Sequence, residues 1–438
     1  MRIGIKFAVS VALILMAALT LAACGGSGGS GSTAGSTSAT GSDTELSGTV
    51  EVWDGEYKIY PEYTKAVDQI DAEFEKLHPK VTVKREAVPS QEQYKTAVTA
   101  HEGPDVFVLQ PGVTGVLTYE KSLEPLNSLI TPEMDEELGQ WSSVTPGLKE
   151  EGNRYGVPIG VTGFVIYYNK KLFKQAGLPA EFEPETWAEV REAGEKLEAA
   201  GIQPFTGGNK DGLENIWWFT MGFHSKNTPE EVSELATGEL PWTSEAVAEA
   251  FEPMIEMNEA GLFDSEFYST PWYPNGYVPF NEGKAGMIFG LWSTAGYYGE
   301  MNPKLGERNV GLFFPPETSS VEAIANISYS IPTFAKNKEA AWALLEYTAS
   351  KKGAEVLTTV GGQLPFRKDS PIPADAPVQE KKLLDAYQNG ETVLSALSAV
   401  GLPAHEAIEK EISQVLQGRT SLADAQKVMQ EGEERAAR

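Results

Sequence analysis

Cysteine and histidine are nearly missing from this chain, and their scarcity excludes several kinds of site. The 438 residues include one cysteine, Cys24, and four histidines. A single cysteine leaves no intramolecular disulfide framework, and four scattered histidines show no metal-cluster spacing. The segment His405–Glu409 lacks the second histidine of a zinc-protease helix. We therefore predict no metal, no cofactor and no catalytic residue.

Positively charged residues are also few compared with negatively charged ones. Lysine and arginine number 35 against 62 aspartates and glutamates, which gives a formal net charge of -27. Such a chain is a poor partner for nucleic acid or for direct adsorption to anionic lipid. A glycosidase needs one carboxyl group as acid and a second as base or nucleophile, and the sequence does not distinguish any such pair among its many carboxylates. A secreted glycosidase therefore stays open as an alternative function.

The N-terminus carries a targeting pattern. Residues 1–23 begin with positive charge and continue into an apolar core, Val9–Leu19, that is too short for a stable membrane span. The core ends in Leu-Ala-Ala-Cys, which resembles the lipobox of bacterial lipoproteins and implies a lipid on Cys24. Residues 24–47 form a Gly/Ser-rich tether that cannot fold alone. We expect a protein anchored at the outer face of the cytoplasmic membrane, on its extracellular or periplasmic side.

From Gly48 onward the chain is long enough for two lobes, and it first alternates strands with helices. The predicted strands are Thr49–Trp53, Val81–Val83 and Asp105–Leu109, separated by helices at 65–78 and 91–100. This order predicts a parallel sheet, whose ligands lie at the carboxyl ends of the strands. The rule selects Trp53 and Asp54 after the first strand and Gln110 after the third. Local packing or a turn cap explains each residue equally well.

A crossover between lobes is predicted next. Phe164–Tyr168 is a β-branched and aromatic run, and Pro158, Gly160 and Gly163 interrupt the chain just before it. A few such residues can absorb a hinge rotation. An ordinary central strand is the alternative interpretation.

The helix-rich region that follows contains several candidate aromatic residues. Trp217 and Trp218 are neighbours on a predicted helix, so they point to different faces and at most one should reach a cleft. Trp272 and Tyr273 lie in a Pro/Gly-rich segment, where an aromatic ring is less easily explained as core.

The motif order resembles the extracellular sugar-binding proteins of ABC importers, the group that includes maltodextrin-binding protein. Besides the lipobox and Trp53-Asp54, the residues that carry the resemblance are Pro104–Phe107, Tyr155–Pro158, Tyr167–Lys170, Pro184–Trp187, Phe280–Met287, Gly290–Trp292 and Gly418–Ser421. The resemblance extends over essentially the whole mature chain. It implies an α/β fold of the two-lobed periplasmic-binding-protein type (class II), with a ligand cleft between lobes joined by hinge crossings.

The family resemblance also implies lobe boundaries. It assigns residues 48–158 and 286–331 to the N-terminal lobe, and residues 165–282 and 337–438 to the C-terminal lobe. It further implies a monomer that is not an enzyme, that binds a carbohydrate and that has ABC permease subunits as its partner.

Site residues follow from the same resemblance. Trp292 is expected to stack on a sugar ring, and Trp53-Asp54 to supply ring and carboxylate contacts, while the loop at Gly361 is expected to lie at the cleft. Trp217, Trp272 and Tyr329 are further candidates. A solute that is not a sugar, such as iron or a peptide, stays open.

Overall fold

The computed structural model describes residues 45–88, 90–292, 297–318 and 320–436. The predicted signal peptide (1–23), Cys24 and nearly all of the predicted tether (24–47) lie outside these ranges. Within them, no helix has both the length and the apolar character needed to cross a bilayer. The lipid anchor stays a prediction.

Strands and helices alternate along most of the described chain. The strands are β1 (Gly48–Asp54), β2 (Val81–Ala87), β3 (Val106–Leu109), β4 (Val157–Thr162), β5 (Phe164–Asn169), β6 (Gln203–Thr206), β7 (Ala285–Leu291), β8 (Val310–Phe313), β9 (Val321–Ser330) and β10 (Thr392–Leu394). The N-terminal and central helices are α1 (Pro61–Leu77), α2 (Gln91–Ala100), α3 (Pro132–Glu137), α4 (Lys170–Gln175), α5 (Trp187–Ala199), α6 (Leu213–Lys226), α7 (Pro229–Thr237), α8 (Glu245–Glu259), α9 (Val278–Asn281) and α10 (Gly299–Leu305). The C-terminal helices are α11 (Lys338–Ala349), α12 (Lys351–Thr359), α13 (Val378–Asn389), α14 (Leu402–Ala407), α15 (Ser413–Leu416) and α16 (Leu422–Ala436).

The first sheet has the strand order β10-β9-β3-β1-β2, and β4 also pairs with β9. Strand β1 is parallel to both β2 and β3, because α1 and α2 return the chain to the same end of the sheet. This confirms the parallel α/β arrangement predicted for the N-terminal part. Since β1 and β3 end at one edge, the loops that follow them lie side by side.

The second sheet has the order β6-β7-β5-β8. Its strand β5 is buried along its whole length, as its aromatic and β-branched residues predict. Helices α6 and α8 pack in close contact because α6 has a glycine at the crossing point. A Cβ on Gly222 would lie 2.0 Å from the carbonyl oxygen of Ala250. This close packing holds α6, and with it Trp217, in one position.

The chain crosses from the first sheet to the second at Gly163. Strand β4 pairs with β9 in the first sheet, and β5 pairs with β7 in the second, so the predicted crossover is confirmed. A Cβ on Gly163 would lie 2.5 Å from the carbonyl oxygen of Glu322 and 2.7 Å from the ring of Trp292. Glycine is therefore required here because a second backbone segment passes too close for any side chain.

Two further segments connect the sheets. One runs from β8 in the second sheet to β9 in the first. The other runs from β10, beside β9, to the C-terminal helices, which pack on the second sheet's helices. In that contact Asn215 of α6 donates a hydrogen bond from Nδ2 to the carbonyl oxygen of Glu409 at 2.9 Å, and Gln426 donates to the carbonyl oxygen of Trp242 at 2.9 Å.

The predicted lobe boundaries need correction in two places. The range 286–331 was expected in the N-terminal lobe, but β7 and β8 pair with β5 in the second sheet, and only β9 belongs to the first. The range 337–438 was expected in the C-terminal lobe, but α11 packs on α1 of the first: Tyr347 donates its hydroxyl hydrogen to Glu73 at 2.9 Å. Local patterns indicate that a strand or helix forms, but its partners depend on contacts far along the chain.

Candidate functional site

The carboxyl edge of the first sheet presents Glu56 and Gln110, side by side. Gln110 Nε2 donates a hydrogen bond to Glu56 Oε1 at 3.0 Å. A cavity of about 130 Å³ opens between the loops after β1 and β3, with Glu56, Tyr94 and Gln110 in its lining. Burial, and then the nearby charge of Asp54, raise the pKa of Glu56 to about 7, while the Gln110 hydrogen bond lowers it. Gln110 thus lies where the strand-end rule places it.

Asp54, the last residue of β1, is fully buried and holds the loop that follows the strand. Its Oδ2 accepts hydrogen bonds from Arg85 Nη1 at 2.8 Å and from the Tyr63 hydroxyl at 2.9 Å. Its Oδ1 accepts from the backbone N–H groups of Glu56 at 2.9 Å and Tyr57 at 3.2 Å. Protein donors therefore occupy both oxygens. The predicted contact between Asp54 and sugar hydroxyls is corrected accordingly: Asp54 positions the loop that carries Glu56.

Trp53 points to the opposite face of β1, because successive strand residues alternate. Its ring lies 6.2 Å from the ring of Tyr94 and 6.1 Å from that of Phe107, measured between centroids. Trp53 is thus partly buried between the sheet and α2. The expected pair of Trp53 and Asp54 on one solute is not formed.

The lobe of the second sheet carries an aromatic cluster centred on Trp272. The ring of Trp272 lies 4.7 Å from Trp217, 5.6 Å from Tyr273, 5.7 Å from Tyr277 and 6.5 Å from Tyr297. Trp272 is only partly buried, and its Nε1–H has no hydrogen-bond partner among the described residues. The cluster therefore presents apolar ring surface, while the Nε1–H of Trp272 is itself buried.

The other cluster members hold Trp272 in place or extend its surface. Trp217 is buried and stacks on Phe289 at 5.0 Å, with the ring planes 10° apart, so it supports Trp272 from behind. Tyr273 is 48 % exposed, and its hydroxyl donates to Glu300 Oε1 at 3.1 Å. Trp218 packs in the other direction, 5.8 Å from Trp187, which agrees with the prediction that at most one of the adjacent tryptophans approaches a cleft.

Tyr60 lies in the loop between β1 and α1. It is 53 % exposed and precedes the first turn of α1. Burial, then Glu56 and Tyr273, raise the pKa of the Tyr60 hydroxyl. Burial is also the largest cause that raises the pKa of Tyr297, and Glu214 and Tyr60 add to it. Burial is thus the main cause of the raised pKa in both hydroxyls.

Glu214, near the start of α6, fixes the loop that follows β6. It is buried, and its Oε1 accepts a hydrogen bond from the backbone N–H of Gly208 at 2.7 Å. Burial raises the pKa of Glu214 to about 8, and the hydrogen bond from Gly208 lowers it. A Cβ on Gly207 would lie 2.4 Å from the same oxygen, so the loop can approach the carboxyl only as glycine.

The structure gives Trp292 a packing role in place of the expected stacking role. Trp292 is 1 % exposed, and its ring lies 5.7 Å from Phe314 in a T-shaped contact. Its backbone N–H donates to the carbonyl oxygen of Gly163 at 3.0 Å. The ring is enclosed by the crossing segments, so neither face is open to a solute in this arrangement.

Tyr329 and Gly361 are corrected in the same way. Tyr329 is fully buried in β9, with its hydroxyl 3.2 Å from that of Tyr63 and 3.3 Å from Arg85 Nη1. Gly361 is buried against α1, where a Cβ would lie 3.0 Å from that of Ala66. Core packing explains both residues.

Sequence reasoning missed Glu56, Tyr60 and Glu214. Glu56 lies two residues beyond the end of β1, so the strand-end rule could have found it. Tyr60 is an exposed aromatic before a helix that begins with proline, which is an unusual place for a large ring. Glu214 had no local signal, because its burial depends on the fold.

Two other features bear on the chemistry of this chain. Within the described ranges, no three or more histidine, cysteine, aspartate or glutamate side chains are arranged to hold a metal ion. A larger cavity, of about 490 Å³, lies away from the cleft, between α3 and β10. Its lining includes Trp141, Arg154 and Lys368, with the Arg154 guanidinium 4.4 Å above the Trp141 ring.

The chain is similar in sequence to known binding proteins. Residues 59–355, more than half of the chain, match the family described as bacterial extracellular solute-binding protein. A binding protein of Brucella abortus (strain 2308) is 24% identical over 318 residues, covering 69% of this chain and 72% of its own. An sn-glycerol-3-phosphate-binding periplasmic protein of the same strain is 38% identical over 68 residues, covering 14% of this chain and 16% of its own.

A solved structure shows the same fold. A chitin oligosaccharide binding protein superposes with a TM-score of 0.75 at 21% identity, covering 89% of this chain and 99% of that one. The predicted two-lobed α/β class is thereby confirmed. Both the matched family and this structural neighbour are binding proteins and not enzymes. This chain belongs to the family of bacterial extracellular solute-binding proteins.

Proposed function

We propose that this protein captures a sugar, in the form of an oligosaccharide, between its two sheets and delivers it to the permease of an ABC importer. The observation that carries the proposal is the partly open aromatic cluster of Trp272 and Tyr273 in the second lobe. Glu56 and Gln110, at the carboxyl edge of the first sheet, add polar groups. Sugars have apolar C–H faces and hydroxyl edges. Aromatic rings suit the faces, and amide or carboxylate groups suit the edges.

Sugar binding without hydrolysis is favoured over the alternative function, that of a secreted glycosidase. Hydrolysis needs two carboxyl groups at a defined separation, both able to reach the glycosidic bond. Glu56 opens toward the cleft, but Glu214 is buried and bonded to its own loop. We expect oligosaccharides to remain chemically intact after incubation with the protein.

Closure of the lobes over the ligand is part of the proposal. Residues 158–165 carry the first crossing, and Gly160 and Gly163 are its tightest positions. Rotation about a few residues at such crossings brings the two sides of the cleft together. Tyr60 and Tyr273, each about half exposed, are placed to be covered as that happens.

The lipid anchor belongs to the proposal as well. The lipobox resemblance at Cys24 and the following tether support a monomer held at the outer membrane face and facing its permease. Mass spectrometry of the mature protein should find a lipid-modified Cys24 as the first residue. A soluble, unmodified N-terminus at another position would contradict the anchor.

A ligand screen by thermal unfolding tests the binding function. A sugar that binds only the folded protein should raise the melting temperature. Trp272→Ala should then weaken affinity for the best ligand by roughly 5- to 150-fold, which corresponds to about 1–3 kcal/mol of lost ring contact. Calorimetry would measure both affinities.

The matched control is Trp342→Ala, which removes another partly buried tryptophan, on α11 of the first lobe. It should leave affinity near normal. If no sugar shifts the melting temperature, or if reducing ends accumulate, the proposed function is wrong.

A further inference from the structure

The cavity between α3 and β10 has the size of a ligand site. Its volume is about 490 Å³, within the range of pockets that enclose small molecules. Strand β10 forms one wall, and residues 138–142, which follow α3, form another. Neither wall contains a residue of the proposed sugar site.

Strand β10 brings an unpaired backbone edge to this cavity. It is the last strand of the first sheet, and β9 is its strand partner. The backbone N–H of Val321 donates to the carbonyl oxygen of Glu391 at 2.7 Å. Because bonding to the partner alternates along a strand, Val393 also faces β9, whereas the N–H and C=O groups of Thr392 and Leu394 point away from it. All three β10 residues line the cavity, so this free edge borders it.

The segment after α3 presents further unused backbone donors. Leu138 forms an antiparallel β-bridge with Arg367, which holds the start of the segment in an extended form. The backbone N–H groups of Gly139 and Gln140 donate no hydrogen bond to the described residues. An extended peptide has the alternating N–H and C=O groups that such backbone edges bind.

Charged side chains of both signs line the same cavity. Arg154 and Asp135 neutralise each other in an ion pair. Lys368 is exposed and forms no ion pair within the described part of the chain, and the same is true of Glu136 and Glu150. A ligand that carries both a carboxylate and an ammonium complements these side chains.

A sugar suits this cavity less well than a peptide does. The ring of Trp141 is 3 % exposed, and the guanidinium of Arg154 lies 4.4 Å from its centre. Tyr387 is 4 % exposed, and its hydroxyl donates to the carbonyl oxygen of Phe366 at 2.8 Å. Neither ring therefore offers an open face on which a sugar could stack.

We propose that this cavity is a second binding site, which takes a free peptide of about three residues, extended along the outer edge of β10. The backbone groups of Thr392 and Leu394 pair with those of the peptide. Lys368 binds the terminal carboxylate, and the carboxylates of Glu136 and Glu150 attract the terminal ammonium. The peptide length matches the three residues of β10.

Calorimetry with trialanine at neutral pH tests this site. Trialanine should bind with a dissociation constant of about 1 mM or lower. Its N-acetylated and C-amidated form should bind about tenfold more weakly, since hydrogen bonds to charged groups exceed neutral ones by this order. Trp272→Ala, which alters the proposed sugar site, should bind trialanine as the unaltered protein does.

Leu394→Pro tests the pairing along β10. Proline removes the outward N–H and is tolerated on an edge strand where that group faces away from the neighbouring strand. The variant should bind trialanine about tenfold more weakly, the effect of losing one backbone hydrogen bond. Leu394→Ala is the matched control, because it shortens the same side chain and keeps the N–H. Its affinity should stay near that of the unaltered protein.

Lys368→Met tests the charge pairing independently of the strand. It keeps an unbranched side chain but removes the ammonium, so trialanine should bind about tenfold more weakly. Lys196→Met is the control, on an exposed lysine of α5 that forms no ion pair with the described residues. The affinity should be unchanged in that variant.

The outcomes decide each part of the proposal. Absence of trialanine binding, or equal affinity for the free and capped peptides, would overturn the site. Equal losses in Leu394→Pro and Leu394→Ala would overturn the pairing along β10, and normal affinity in Lys368→Met would overturn the role of that lysine. Loss of binding in Trp272→Ala would place the peptide in the sugar site and overturn the second site.

Discussion

Arg85→Ala is expected to lower the free energy of unfolding by about 3–5 kcal/mol, the usual cost of leaving a buried charge without its partner. Arg85 Nη1 lies 2.8 Å from Asp54, and Nη2 lies 2.9 Å from Asp71. Without the guanidinium, the fully buried Asp54 would keep its charge in an apolar setting. Urea unfolding monitored by circular dichroism would measure the loss.

A second effect is expected on ligand affinity. Asp54 also accepts the backbone hydrogen bonds of Glu56 and Tyr57, so its displacement loosens the loop that presents Glu56 to the cleft. Arg191→Ala is the control, since Arg191 pairs with Glu195 at 2.7 Å on an exposed helix face. Exposed pairs contribute about 1 kcal/mol or less. Equal losses in the two variants would contradict the structural role given to Arg85.

Trp292→Ala is expected to cost about 3–5 kcal/mol of stability, the usual range for removing a large aromatic side chain from a core. The ring is enclosed between Gly163 and Phe314, where the segments that connect the two sheets pass one another. Calorimetric affinity and unfolding free energy would be measured on the same preparation.

Trp272→Ala is the comparison variant, in which we expect the main loss to be in ligand affinity. Trp272 is partly exposed, so its removal should reduce affinity with a smaller loss of stability. Near-normal stability together with abolished binding in Trp292→Ala would instead restore the stacking role that the family resemblance implied. The two tryptophans would then have exchanged the functions assigned to them.

The strand-end rule selected three residues at one edge of the first sheet, and only one of them is exposed there. Gln110 lies at that edge, whereas Asp54 is turned inward and Trp53 lies on the opposite face. Alternation along β1 already implies that two adjacent residues cannot share a solute. Which of the two points inward depends on Arg85, 31 residues further along the chain from Asp54.

The lobe assignment shows a similar limit. The strands at 285–291 and 310–313 have the apolar composition of buried strands. That composition does not indicate which strand each of them pairs with. Antiparallel pairing with β5 places both strands, β7 and β8, in the second sheet. The helices α11 and α12 return to the first sheet because their apolar faces pack on α1, through contacts such as Phe74 with Tyr347.

The sequence by itself determined the parallel α/β order of the first lobe, a crossover within residues 158–165 and the family. Each of these depends on periodicity, turn residues or motif order, which are local properties of the chain. Only the tertiary structure decided that Glu56, Tyr60, Trp272 and Tyr273 keep exposed surface, while Asp54, Trp292 and Tyr329 are buried. Exposure of a side chain depends on what packs against it, and the packing partners here come from distant segments.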